Sequence, residues 1–154
     1  IRSQIIDDCA LARALKRQGG RLWLGLTRLS SSLRPYGSAG LIGQMISRTA
    51  FNQLRHSYAL LLATLAALFL TYVLPLLLLF CGDALAAALA AAALVLMSLS
   101  YLPMVRFYKV SPWWAVTLPA VALFYAVATV HSALQYARGR GGRWKGRTQD
   151  VRAP

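Results

Sequence analysis

YALLLATLAALFLTYVLPLLLLFC, residues 58–81, runs for more than 20 residues without a charge. A helix rises about 1.5 Å per residue, so this stretch is long enough to cross about 30 Å of hydrocarbon. Pro75 should kink it, which membrane helices tolerate because neighbouring groups re-satisfy the freed backbone. Gly82 and Asp83 then form a tight turn. Residues 84–105 make a second, Ala/Leu-rich segment, whose small side chains favour close helix packing. Residues 106–111 (RFYKVS) read as a basic, aromatic interfacial loop. The third segment, residues 112–134, opens with Trp113 and Trp114, a pair suited to the aromatic belt of a bilayer, and Pro119 is expected to kink it.

Outward from these segments the chain changes character. It is 58% hydrophobic and 14% charged, with 17 Lys/Arg against 4 Asp/Glu and a net charge of +13. Globular domains carry about 25% charged residues. The basic excess flanks the apolar segments, which favours anionic lipid over nucleic acid as its counterpart. Residues 1–21 are polar, acidic and basic by turns, unlike a signal peptide. The chain opens on Ile1 and is expected to be the C-terminal part of a longer protein. Cys9 and Cys81 match no metal or redox spacing and read as unpaired.

Residues 5–18 read as a strand end running into a short helix. Asp7 and Asp8 suit its N-cap and first turn, Lys16 and Arg17 its last turn, and Gly19-Gly20 its stop. Residues 21–26 (RLWLGL) alternate polar and apolar, the period of a strand. Residues 30–40 are a Ser/Pro/Gly-rich connection. Residues 40–57 carry Leu41, Ile42, Met45, Ile46 and Phe51 among Arg48 and Arg55, the pattern of an amphipathic helix at the bilayer surface. Residues 135–154 form a Gly/Arg-rich tail.

Orientation follows from charge. Nine Lys/Arg precede the first segment and none lies at Gly82-Asp83, so the Asp7–Asp8 region is expected in the cytoplasm and that turn opposite. Three crossings would put the tail outside, yet it holds Arg138, Arg140, Arg143, Lys145, Arg147 and Arg152. Three long apolar segments incline to the outside. The alternative is a third segment that enters and leaves on one side.

Few residues could carry chemistry. The Asp7-Asp8 pair could deprotonate a hydroxyl as general base, or could simply cap a helix. Arg34, Arg48 and Arg55 could hold a diphosphate or lipid headgroups, or could set topology. His56 and His131 lie near segment ends and read as interfacial residues. A small transporter is disfavoured because the spans lack charged residues for a substrate or proton path.

The stretch IIDDCALARALKRQGGRLWLGL (residues 5–26) resembles the later half of a family 2 glycosyltransferase catalytic domain. Asp7-Asp8, Leu11, Gly20 and Arg21 match its pattern; where that pattern has Arg, this chain has Ala14, with Arg13 one position early. Together with SLRPYG (32–37), RTAFNQLRHS (48–57), LPMVRFYKVSP (102–112) and GRGGRWKGR (139–147), the chain is similar to hopene-associated membrane glycosyltransferases of bacterial hopanoid gene clusters. The resemblance implies residues 1–36 as the end of a GT-A (α/β) catalytic domain and 37–57 as interfacial amphipathic helices. It implies a three-helix transmembrane region at 58–134 and a basic tail at 135–154, in a bacterial inner membrane.

The resemblance also implies roles. Asp8 would be the catalytic base and Asp7 its support. The family's Gln-x-x-Arg-Trp motif, which contacts donor diphosphate and acceptor, falls on Gln53 and Arg55; Arg55 comes one place early and the Trp is absent. The implied reaction moves sugar from a nucleotide sugar to a lipid acceptor, with Mg or Mn held by an Asp-x-Asp pair. That pair and the nucleotide-binding half do not occur in this sequence, so the chain alone is expected to be inactive. The competing class is a non-catalytic membrane scaffold whose basic ends bind anionic lipid.

Overall fold

The structure is a computed structural model that describes residues 7–30, 33, 36–139, 143–144 and 147–148. It is mainly helical. Helix α1 spans Asp7–Arg17, α2 Ala39–Gln53, α3 Tyr58–Leu68, α4 Leu74–Leu78, α5 Ala84–Phe107 and α6 Leu118–Ala137. A π-helical segment, Phe69–Val73, joins α3 to α4, and a 3₁₀ turn, Pro112–Ala115, precedes α6. Three helical stretches, Tyr58–Leu78, Ala84–Phe107 and Leu118–Ala137, are long and apolar enough to cross a membrane.

Local chemistry explains where these helices start. The side chains of Ser38, Ser57 and Asp83 accept the N–H groups of Leu41 (3.3 Å), Leu60 (3.3 Å) and Ala86 (2.6 Å). Each satisfies a donor that a first helical turn otherwise leaves orphaned. Gly82 takes φ +82° in the turn before α5, a conformation glycine adopts without steric cost. Pro75 has no N–H, and its ring would strike a carbonyl one turn back. The π segment ends where Leu74 N–H reaches Phe69 C=O, opening the helix by one residue just before the proline.

Pro119 kinks nothing. It lies in the first turn of α6, where its fixed φ and missing N–H are harmless. The third apolar stretch therefore begins as a separate turn bearing Trp113 and Trp114, 80% and 55% exposed.

Packing departs from expectation in two places. The Ala-rich α5 buries only Ala90 and Val105 and meets α4 and the 3₁₀ turn at its ends. The closely packed helix is α6, a third of whose apolar window is buried, against 6% for α5. It presents Ala122, Ala128, Thr129, Ser132 and Ala133, all buried, and these small residues let α2 and α3 come near. The amphipathic helix expected at 40–57 forms as α2, and its partner is α6. Gly43 faces Phe124, where an added Cβ would lie 3.4 Å from the ring. Phe51 N–H donates to Ser132 Oγ at 3.1 Å, and His56 stacks on Tyr136 at 4.2 Å. Pairs 43–124, 51–132 and 56–136 ascend together, so α2 runs alongside α6 in the same direction.

Arg55 and His56 both take positive φ, 52° and 56°, in the bend between α2 and α3. The left-handed conformation costs non-glycine residues roughly 1–2 kcal/mol each. An aromatic group holds them there: Phe51 packs against His56, Tyr58 and Tyr136 with ring centroids 5.2–5.5 Å apart. Phe51 is 1% exposed and forms a buried cluster with Leu61 and Ala133. Phe51→Ala should destabilise the bundle by about 3 kcal/mol, the low end for buried Phe truncation, since part of the lost contact is regained against lipid. Unfolding in mixed micelles by SDS titration reads this. A shift no larger than that of Leu62→Ala, on the exposed side of α3, would remove the cluster from its pinning role.

This cluster also locates the tail. Leu61 is near the start of α3 and Ala133 near the end of α6, so the two helices are antiparallel there. The chain therefore leaves α6 at the end of the bundle where α3 begins. Beyond it, Arg143–Trp144 and Arg147–Thr148 pair as two short antiparallel strands, β1 and β2.

No strand forms at 21–26. Those residues have no regular structure; Trp23 is 86% and Leu24 99% exposed. Alternation alone cannot make a strand, because its N–H and C=O groups need a neighbour, and no strand among the described residues lies beside this stretch. The strand end expected before Asp7 lies outside the described residues.

Candidate functional site

A cavity of about 890 Å³ opens between α1, α2, α3, the π segment, α5 and α6. Its floor is apolar: Met45, Ile46 and Ala50 from α2, Leu54 just after it, Leu68 from α3, and Leu118, Val121 and Ala122 from α6. Its polar groups come from Asp8 on α1, Arg48, Thr49 and Gln53 on α2, Thr64 on α3, Tyr72, Tyr101, and Tyr125 and Thr129 on α6.

Each arrives for a local reason. Asp8 sits in the first turn of α1, and its carboxylate accepts the Cys9 N–H at 2.8 Å. Arg48 and Gln53 follow from the heptad-like face of α2, with Arg48 half-buried and Gln53 exposed. Thr64 and Thr129 donate their hydroxyl protons to the carbonyls of Leu60 (2.8 Å) and Tyr125 (2.7 Å). Their oxygens keep acceptor capacity while their protons are spent within the helix. The phenols of Tyr72, Tyr101 and Tyr125 can both donate and accept.

Of the site residues expected from sequence, Asp8 and Gln53 share this cavity although they lie on different helices. Arg55 does not line it; it is exposed in the α2–α3 bend. Of the three arginines expected to meet phosphate or headgroups, Arg48 lies on the cavity wall and Arg34 outside the described residues. Asp7 opens α1, with no described side-chain position. His56 is taken up by its ring stack, and His131 Nε2 lies 3.2 Å from Gln135 Nε2 on an exposed face. Cys9 and Cys81 are free and exposed.

Sequence reasoning missed Thr64, Tyr72, Tyr101, Tyr125 and Thr129. The signal was present as isolated polar side chains inside apolar helices, with Tyr125 and Thr129 one turn apart, but nothing local says which of them face one another.

Among the described residues no group of three or more His, Cys, Asp or Glu could hold a metal ion. The donor set here, one carboxylate with hydroxyls and amides, does not fit the Mg or Mn implied by resemblance. Chemically, the cavity suits an amphiphile. A polar head would meet Asp8, Arg48 and Gln53, and an apolar body would lie against Leu68, Val121 and Ala122.

Comparisons with protein-family models, with curated proteins and with solved structures find no match to this chain.

Proposed function

We propose that this chain is the membrane-embedded, acceptor-binding part of a glycosyltransferase that moves sugar from a nucleotide sugar to a lipid acceptor. The observation that carries the proposal is the convergence of Asp8 and Gln53 on one cavity whose other walls combine apolar side chains with Arg48 and Thr and Tyr hydroxyls. An aqueous carboxylate beside a lipid-sized apolar groove is what a lipid hydroxyl needs in order to lose its proton. Asp8 takes that proton as the hydroxyl attacks the anomeric carbon, and the nucleoside diphosphate leaves with the bond's electron pair. Arg48, on the cavity wall, supplies positive charge near the departing phosphate, a role that suits it better than Arg55. The hopanoid setting and the GT-A catalytic half remain part of the proposal through the residue blocks at 5–26, 32–37, 48–57, 102–112 and 139–147.

The test is direct. Membranes containing the full-length protein, incubated with radiolabelled nucleotide sugars one at a time, should transfer label into the chloroform-extractable fraction. No label above a vector control with any donor would sink the proposal. On this proposal the 154-residue chain alone should give none, because nucleotide binding is assigned to a separate half. Donor turnover by the purified chain would show that the division of labour proposed here is wrong.

The second reading, a scaffold that binds anionic lipid, is favoured by one observation: Arg28, from the segment after α1, lies with its guanidinium 4.8 Å from the Phe107 ring at the end of α5. A scaffold would leave all donors untouched in the same assay.

A further inference from the structure

We propose that the corner where α5 gives way to α6 is a binding site for a single anionic glycerophospholipid, adjoining the larger cavity through Tyr101, Leu118 and Val121. A crevice of about 270 Å³ lies there, walled by Tyr101, Met104, Val105, Trp114, Leu118 and Val121. Its lining is almost wholly apolar and its size approaches the lower end of small-ligand sites, about 300 Å³. An acyl chain fits such walls.

Charge at the rim selects the headgroup. Arg106 and Lys109 are exposed and flank the lining residues Val105, Tyr108 and Val110. Arg28 joins them through its contact with Phe107. Lys109 holds φ +54°, at a position just after a helix where glycine is usual, with its N–H on Arg106 C=O and Val110 N–H on Val105 C=O. That backbone turn places the Lys109 Cα between the lining residues Tyr108 and Val110. No acidic residue lies between residues 84 and 149, the stretch that carries Arg106 and Lys109. Trp113, Trp114 and Tyr108 are exposed at the same corner, the residue types that settle at headgroup depth. Three cations at that depth, above an acyl-sized crevice, complement a phosphodiester with a further uncharged or anionic headgroup, and not a zwitterionic one whose ammonium they would repel.

Trp114 is both a wall and a reporter. A variant carrying Trp23→Phe, Trp113→Phe and Trp144→Phe leaves it as the sole tryptophan. Reconstituted into phosphatidylcholine vesicles, this protein should be quenched by phosphatidylglycerol brominated on its acyl chains. Half-maximal quenching should fall at a mole fraction about fivefold or more below that for brominated phosphatidylcholine, the factor supplied by one cation near the surface. Adding Arg28→Gln, Arg106→Gln and Lys109→Gln should bring the two lipids together. Equal quenching by both lipids in the unaltered-charge protein overturns the proposal, as does a preference that survives loss of the three cations. Sugar transfer plays no part in this readout, so its outcome is independent of the proposed activity.

Discussion

Asp8→Asn in the full-length protein is expected to lower lipid glycosylation by about 100-fold or more, the usual contribution of a general base. Membrane insertion should be unchanged. Asn keeps the shape of Asp and an oxygen that can accept the Cys9 N–H now held by the Asp8 carboxylate. Asn is also as good as Asp at a helix start. The substitution thus removes the capacity to take a proton while leaving α1 and the cavity wall in place. Asp7→Asn should cost less, since its proposed part is support. Turnover on matched amounts of inserted protein decides the matter. Activity of Asp8→Asn within about threefold of the unaltered protein would take Asp8 out of the base role, because that factor is too small for lost proton transfer.

Cysteines placed singly at residues 83, 108 and 146 in a background lacking Cys9 and Cys81 should label all-or-none on intact cells with a membrane-impermeant thiol reagent: 83 labelled, 108 and 146 protected. The expectation that three apolar segments carry the tail outside and the contacts at the end of α6 predict opposite results at 146, and the prediction here follows the contacts. If Tyr58–Leu78 and Ala84–Phe107 each cross, α5 returns to the side from which α3 departed. Helix α6 starts from that corner, and its far end meets the beginning of α3 through His56 on Tyr136 and through the Phe51, Leu61 and Ala133 cluster. The chain therefore leaves α6 on the side where α3 begins; α6 packs antiparallel to α3 and against the π segment, so its start lies deeper than its end.

Charge agrees with contact. Nine Lys/Arg before residue 58, Arg106 and Lys109, and six after residue 137 make 9 + 2 + 6 = 17, all the basic residues of the chain. The orientation bias of short flanks expects basic residues on one side and none at Gly82-Asp83, which carries none. Labelling at 146 would mean a full third crossing and would break the His56–Tyr136 contact. Labelling at 108 would mean that α5 does not return.

Helix existence and helix ends were legible along the chain. A charge-free run such as 58–81 has one stable arrangement in hydrocarbon, because every backbone group must find its partner within the segment. Ser38, Ser57 and Asp83 act on N–H groups three residues ahead, so caps are local as well. The Asp7-Asp8 pair at the head of α1 is equally local. Pro119 shows the limit of such reasoning: the same residue starts a helix or kinks one, depending on where the preceding turn ends.

Only the tertiary structure decided which helices meet. Alanines abound in α5 and all but Ala90 stay exposed or half-buried, while α6 uses fewer small residues to seat α2 and α3. Composition cannot separate these cases, since a lipid tail and a neighbouring helix are equally apolar and the choice turns on shape matched across distant parts of the chain. The meeting of Asp8, Arg48 and Gln53 on one cavity, the exclusion of Arg55 from it and the placing of the end of α6 beside the start of α3 all follow from that choice. The bond from Phe51 N–H to Ser132 Oγ joins the same two helices, a pairing for which no periodicity within either helix supplies a signal.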